Sequence, residues 1–226
     1  MVGALAVLLV LAGCGSVAGT AKPEGGRIDP SRQVSATGAP KLVFRPVLQV
    51  GSASGTPVRT SGLPPEPTKP ATPEAEKDVT RERSARQSPT LAAGAAAAFA
   101  TFRCPEHDPL AGLDDPTALL LVCDVKGESV YLLGPAFLDN RQITSSSSGP
   151  AESGGFVVTI GFTEQGTKTW GEFTAANVGN QVALVYNTAV LSAPSINGAI
   201  PDGVTEISGR FTQSEARDLA DQIAGR

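Results

Sequence analysis

The sequence predicts an α+β fold in which a small mixed or antiparallel sheet carries two to three packed helices. Apolar residues alternate at a period of two along Phe156–Phe162, which is typical of a half-buried strand. Two segments with helix-capping signals follow, at Thr163 and at Thr212, and short β-type runs lie between them. We place this domain at residues 89–226, behind a disordered tether and a Pro-rich linker.

The first helix is predicted to begin directly after that strand. Thr163 is a candidate N-cap with Glu164 in the first turn, and Trp170 and Phe173 lie three residues apart on one face. Gly179 can adopt the left-handed conformation that commonly ends a helix.

Two strands are predicted next, at Val182–Tyr186 and Ala189–Ser192. Asn187 and Thr188 would join them as a two-residue hairpin turn, although glycine suits the second turn position better than threonine does. A further short strand is predicted at Thr205–Ser208.

The last helix has the clearest signals in the sequence. Thr212 and Glu215 form the capping box T-x-x-E, and Phe211 precedes it at the staple position. Residues at helical spacing form the predicted buried face: Ala216, Leu219, Ala220 and Ile223.

The amino terminus predicts a lipid anchor. A short apolar run at Val2–Leu11 leads into Leu11-Ala12-Gly13-Cys14, a lipobox in which Cys14 becomes the lipidated first residue of the mature chain. We therefore assign residues 1–13 to a lipoprotein signal peptide and 14–40 to a flexible tether. The alternative is an ordinary secretory peptide that contains a cysteine. The absence of Lys and Arg before Leu11 is atypical of both and favours a true start upstream of Met1.

Residues 41–50 are predicted to form an isolated strand, which either pairs with the domain or accepts a strand from another protein. Residues 51–88 form the predicted linker, because six prolines lie between positions 57 and 73 and mixed charges follow from Glu74 to Arg86. Leu91–Phe99 is predicted to be helical despite Gly94 and to dock on the head through Phe99 and Phe102.

Two further cysteines are predicted to form a disulfide. Cys104 and Cys123 enclose a segment rich in Pro, Asp and Gly, and an oxidising envelope favours closing such a loop. The alternative is a metal site built from Cys104, Glu106, His107 and Asp108, but structural zinc sites usually contain paired Cys or His ligands.

Charge and motif content exclude other classes of function. A formal net charge of -4 argues against nucleic-acid binding, which depends on neutralising phosphates with Lys and Arg. Ser145–Ser148 lacks the context of a nucleophile and is interpreted as a loop, and His107 is the sole histidine of the sequence. Asp114-Asp115 lies in a Pro-flanked turn. We predict no catalytic residue, no metal and no cofactor.

Several short motifs follow one another over about half of the chain. They are Tyr131-Leu132-Leu133-Gly134-Pro135, Gly166-Thr167-Lys168-Thr169-Trp170, Asn177-Val178-Gly179, Leu191-Ser192-Ala193-Pro194, Ile207-Ser208-Gly209-Arg210-Phe211-Thr212 and Glu215-Ala216. Together they resemble the head of the first extracytoplasmic domain of SecD, a subunit of the Sec protein-export machinery. Leu42–Leu48 is similar to a base strand of that ectodomain. The segment Cys104–Cys123 resembles an insertion in actinobacterial members.

The chain also departs from SecD. That family carries several membrane-spanning helices, one of which begins just after the position of Ile223, and its role in export is thought to use proton flow. No run of eighteen apolar residues occurs in this sequence, and most of the base strands are missing. We therefore do not expect a proton-driven motor.

The lipobox and the resemblance together predict a lipid-anchored, extracytoplasmic binding protein without enzymatic activity, and the resemblance implies Sec translocon subunits or exported polypeptides as its partners. The candidate polypeptide-binding residues are Leu191, Ser192, Ala193, Pro194 and Ile196, since extended chains bind sheet edges and small apolar pockets. The simpler alternative is that Leu191 and Ile196 are core residues. A second hypothesis is an envelope adaptor for another lipoprotein, a transporter or the wall. A third is an envelope hydrolase that depends on His107.

Overall fold

The computed structural model describes residues 42–53, 64, 70–152 and 154–225. The predicted signal peptide, Cys14 and the tether to residue 40 lie outside these ranges. None of the helices that the structure describes has the length and hydropathy of a membrane span.

The described chain contains runs of consecutive strands separated by helices and confirms the predicted α+β class. Its strands are β1 Leu42–Ser52, β2 Leu120–Cys123, β3 Ser129–Leu133, β4 Leu138–Asp139, β5 Ile143–Pro150, β6 Phe156–Phe162, β7 Val182–Tyr186, β8 Ala189–Ser192 and β9 Val204–Phe211. Its α-helices are α1 Pro73–Arg86, α2 Ala95–Thr101, α3 Glu164–Ala176 and α4 Gln213–Ile223, with 3-10 turns at Pro89–Ala92 and Asn140–Gln142.

The strands form two sheets. The larger has the order β2-β3-β1-β7-β8 with β4 added to β1, and the smaller has the order β5-β6-β9. All pairs between these strands are antiparallel. A parallel bridge joins Asp124 to Val190, and the Val125 N–H donates to the Val190 carbonyl oxygen at 3.0 Å. The larger sheet therefore curls until β2 and β8 meet.

The predicted isolation of strand 41–50 is wrong. Its residues form β1, which pairs with β7 from Leu42 to Pro46 and with β3 from Val47 to Ser52. The first half of β1 is central because both of its faces are buried. Phe44 packs in the main core cluster and Val43 packs in a second core cluster. The alternating apolar run was visible in the sequence, but its partners lie far along the chain.

The predicted linker at 51–88 also differs from the structure, because part of it is a helix. Its charged part folds as α1, because Thr72 caps the helix by accepting a hydrogen bond from the Ala75 N–H and Pro73 suits the first turn. Most of α1 is exposed, as expected for a solvated run, but Val79 is buried in the core.

Two smaller predictions differ from the structure. Ser145–Ser148 is part of β5, where Ser145 and Ser146 are buried and α4 packs against the strand. The small side chains let the helix approach closely. The alanine-rich segment is divided at Gly94 into a 3-10 turn and α2, and Phe99 and Phe102 pack in a third core cluster as predicted.

The local signals of the later elements are confirmed. Thr163 caps α3 by accepting from the Gly166 N–H at 3.0 Å, and both hydrogen bonds of the Thr212–Glu215 capping box are formed at α4. Trp170 lies in the main core cluster and contacts the ring of Phe44 edge to face at 5.3 Å.

Candidate polypeptide-binding surfaces

The segment proposed for polypeptide contact from the sequence, residues 191–196, is largely occupied within the domain. Ile196 is 4% exposed and lies in the main core cluster, and Leu191 is half-buried against the same cluster. The Ile196 N–H donates to the Asn180 carbonyl oxygen at 2.8 Å. The Pro194 carbonyl oxygen accepts from the Val182 N–H at 3.1 Å. The side chains of this segment thus lie mainly against the core.

Ala193 and Ser192 in that segment also pack against or hydrogen-bond to neighbouring parts of the domain. Ala193 packs against the second core cluster, and its carbonyl oxygen accepts from the Gln181 side-chain amide at 2.9 Å. The Ser192 hydroxyl donates to the Ser208 carbonyl oxygen in β9 at 2.8 Å. The solvent-exposed positions here are polar, at Ser195 and Asn197.

A more open surface lies at the outer half of β1. The Val47 N–H donates to the Gln181 carbonyl oxygen at 3.1 Å, and beyond that bond no strand of the described chain pairs with β1 on the side opposite β3. Leu48 is 49% exposed and Val50 is 50% exposed. The strand therefore presents an edge with apolar side chains between Leu48 and Ser52.

The direction of the backbone groups along this edge follows from one hydrogen bond. The Ala53 N–H donates to the Glu128 carbonyl oxygen on the β3 side at 2.9 Å. Backbone groups alternate in direction along a strand. The N–H and C=O groups of Gly51 and Gln49 therefore also point toward β3, whereas those of Val50 and Ser52 point away from it. A β-bulge between Val47 and Gln49 shifts the register and so determines which of these residues direct their backbone groups outward.

The loop between Cys104 and β2 is fixed to this sheet by a buried arginine. Arg45 is fully buried in the middle of β1, and its Nη2 lies 2.7 Å from Asp114 Oδ2. The same guanidinium donates to the carbonyl oxygens of Ala118 at 2.8 Å and Gly134 at 3.0 Å. Burial lowers the pKa of Arg45 and the nearby Asp114 carboxylate raises it. Burial has the larger effect, so the pKa lies below its ordinary value. A guanidinium remains protonated at neutral pH in any case.

The β7–β8 turn contacts the same loop. Asn187 and Thr188 both have positive φ angles, 45° and 63°, as the two-residue hairpin turn requires. Thr188 is buried, and its Oγ1 lies 2.6 Å from Asp114 Oδ1 and accepts from the Gly112 N–H at 2.8 Å. These contacts explain why the turn has threonine where glycine would fit the backbone better.

The end of α1 provides a third attachment. The buried Arg86 donates to Asp108 Oδ1 at 2.6 Å and to the Leu121 carbonyl oxygen at 2.9 Å. The Gln87 side chain exchanges two hydrogen bonds with the backbone of Asp115, at 2.8 and 2.9 Å. Neither residue was singled out in the sequence, where both looked like part of a charged linker.

The two predicted cysteines are joined, with 5.8 Å between the Cα atoms of Cys104 and Cys123. The alternative metal site is not formed, because Cys104 is in the disulfide and Asp108 is paired with Arg86. No cluster of three or more His, Cys, Asp or Glu side chains suited to a metal occurs among the residues that the structure describes.

Part of this chain is similar to a known subunit of protein export. Residues 118–225 match the family model of the SecDF P1 head subdomain. A stretch of 129 residues is 40% identical to the protein translocase subunit SecD of Mycobacterium tuberculosis (strain ATCC 25618 / H37Rv), covering 55% of this chain and 22% of that protein. The SecD of Streptomyces coelicolor is 34% identical over 101 residues, covering 42% of this chain and 18% of that protein.

Among solved structures, a crystal structure of SecDF in the super-membrane-facing form aligns with 82% of this chain and 19% of that chain, at 20% identity and a TM-score of 0.44.

The chain spans about a fifth of the length of the curated relatives it matches. Residues 118–225 cover β2 to α4, which include the hairpin, the segment at 191–196 and the last helix. This part of the chain is a SecD-like head domain.

Proposed function

We propose that this chain is a lipid-anchored, extracytoplasmic binding protein that assists Sec-dependent protein export. Its head domain contacts translocating polypeptides or subunits of the translocon, and it has no enzymatic activity. The observation that carries this proposal is the match of residues 118–225 to the SecDF P1 head subdomain. The relatives that match are named as protein translocase subunits.

The anchor in this proposal is the lipidated Cys14, which lies outside the described residues. Stable attachment requires more than one acyl chain, and a diacylglyceryl cysteine supplies two. Replacement by Cys14→Ser is expected to release the protein from the membrane fraction. Metabolic labelling with a fatty-acid analogue should label the original chain and not the variant. Equal labelling of both would contradict the lipid anchor.

The export role is tested by deleting the gene and quantifying secreted proteins. Loss of an accessory factor is expected to lower the rate at which newly made secretory proteins leave the cell, measured by pulse-chase labelling. Expression of the original chain should restore the rate, and the Cys14→Ser chain should restore it poorly. An unchanged export rate and secretome in the deletion strain would overturn the role.

An adaptor for another envelope protein is the second candidate function. The residues before 118 lie outside the head match, yet they contribute α1, α2 and the disulfide-closed loop to the surface. This additional surface favours a partner specific to this chain. In that case affinity purification after crosslinking would recover one lipoprotein, transporter or wall component in constant ratio to the chain, with no Sec subunit.

A further inference from the structure

We propose that the outer edge of β1, from Leu48 to Ser52, binds an extended polypeptide segment by adding it to the larger sheet as a further strand. This inference rests on the proposed function, because it names the site at which a translocating polypeptide would bind. The site differs from residues 191–196, where the backbone is already paired within the domain.

The backbone supplies the binding groups at this edge. Val50 and Ser52 direct their N–H and C=O groups away from β3, and none of the described strands pairs with them on that side. Four backbone groups therefore remain for an incoming strand. Such pairing does not depend on the ligand's side chains, which suits a protein that meets many different sequences.

The side chains at the edge add an apolar contact without selecting for charge. Leu48 and Val50 are each about half exposed, and Val50 lies beside the half-buried Tyr131 in the register of β1 and β3. The segment Leu48-Gln49-Val50-Gly51-Ser52 contains no Lys, Pro or acidic residue. Open edges are usually protected by such residues, and their absence here leaves the strand able to pair.

The size of the edge favours a transient polypeptide over a second copy of this chain. Five residues of strand span about 17 Å. Stable protein interfaces bury about 1,200–2,000 Å², and one short strand edge with two apolar side chains offers much less. A weak, reversible contact is what an export factor needs, since it must release each polypeptide.

Amide hydrogen exchange of the full chain tests the proposal, with a synthetic peptide of alternating threonine and valine as the probe. In the free protein, the Val50 and Ser52 amides should exchange fast, while Gln49 and Gly51 should be protected by their bonds to β3. Saturating peptide should slow exchange at Val50 and Ser52 alone. A control peptide methylated at every backbone nitrogen has the same side chains, offers no backbone donor on either edge and should bind poorly.

Two variants of the edge complete the test. Val50→Pro removes an outward donor and Val50→Lys adds a charge, and each should weaken peptide affinity about tenfold. Val178→Lys is the matched control, since Val178 is 54% exposed outside this edge and should leave affinity unchanged. If Val50→Pro fails to fold, Val50→Lys and the methylated peptide still decide the question.

Three results would overturn the proposal. The first is protection of Val50 and Ser52 in the dilute free protein, which would show that the edge is already covered. The second is equal binding of the methylated peptide. The third is protection that rises with protein concentration alone, which would indicate self-pairing. Edge binding with no export defect in the deletion strain would refute the proposed function only, whereas an export defect without edge binding would refute this inference only.

Discussion

Asp114 joins two distant parts of the larger sheet: one carboxylate oxygen lies 2.7 Å from Arg45 Nη2 in β1, and the other lies 2.6 Å from Thr188 Oγ1 in the β7–β8 turn. The side chains of Arg45 and Asp114 are 0% and 12% exposed. This carboxylate therefore holds the disulfide-closed loop against the sheet in a site with little access to water.

Replacing Arg45 with methionine should destabilise the domain strongly. The change removes the Arg45 donor from Asp114 Oδ2 and from the carbonyl oxygens of Ala118 and Gly134. Breaking a buried pair in this way typically costs about 3–5 kcal/mol. Urea denaturation should show this loss of unfolding free energy. The control is Arg81→Met, which removes an exposed ion pair with Asp78 and should cost under about 1 kcal/mol; equal losses would contradict the account.

Thr188 variants should separate hydrogen bonding from backbone strain. Thr188→Val keeps the shape but loses the hydroxyl, and it should cost about 1–3 kcal/mol by leaving the Gly112 N–H and Asp114 Oδ1 unsatisfied. Thr188→Gly loses the same bonds but adopts the φ of 63° without strain, so it should cost less than valine. Thr188→Ser should be the mildest of the three. The order is read from denaturation midpoints, and a valine variant as stable as serine would refute it.

Removing the disulfide should lower stability by about 3 kcal/mol in the chain-entropy model. The bond closes a sequence separation of 19 between Cys104 and Cys123. The double serine variant should unfold at lower denaturant concentration than the original chain. Reducing agent is the control: it should destabilise the original chain by a similar amount and leave the variant unchanged. A variant as stable as the oxidised original would contradict the assignment.

The cap of α4 should make stability depend on pH below the usual Glu range. The Thr212 backbone N–H and then its hydroxyl, both donating to Glu215, lower the pKa of that carboxyl. Glu215 therefore stabilises the fold above its unfolded pKa of about 4.3, and that contribution is lost as pH falls through the lower folded pKa.

Glu215→Gln keeps an acceptor but removes this titration. The difference in unfolding free energy between Glu215→Gln and the original chain should shrink between about pH 5 and pH 3. Thr212→Ala removes the cap itself and should cost about 1 kcal/mol at neutral pH. A difference between the glutamine variant and the original that stays constant with pH would show that the shifted carboxyl does not contribute.

The sequence predicted the elements that local chemistry determines. Thr163, Thr212 and the hairpin at Asn187-Thr188 carry caps or turn positions within a few residues, so their roles could be inferred without the rest of the chain. The central position of β1 could not be inferred, because it depends on pairing Leu42 with Tyr186 and Ser52 with Ser129.

The candidate surfaces were predicted only in part. Residues 41–50 were identified as a strand open to pairing, but which half is covered depends on where β7 ends. Arg45 carried one signal, a charged residue within an apolar strand, and its carbonyl and carboxylate partners come from two separate segments, the loop before β2 and the end of β3. Pairing of this kind is set by tertiary structure and not by neighbouring residues.

Site-specific photocrosslinking in the native host tests whether the β1 edge contacts exported polypeptides. The probe is placed at Val50 on the β1 edge, at Ser195 beside the segment predicted from the sequence, and at Val178 as an exposed control. We expect adducts from Val50 with newly exported polypeptides or Sec subunits, which increase during active secretion and are absent from Val178. Adducts with one unrelated envelope protein, unchanged when export is blocked, would contradict the export role.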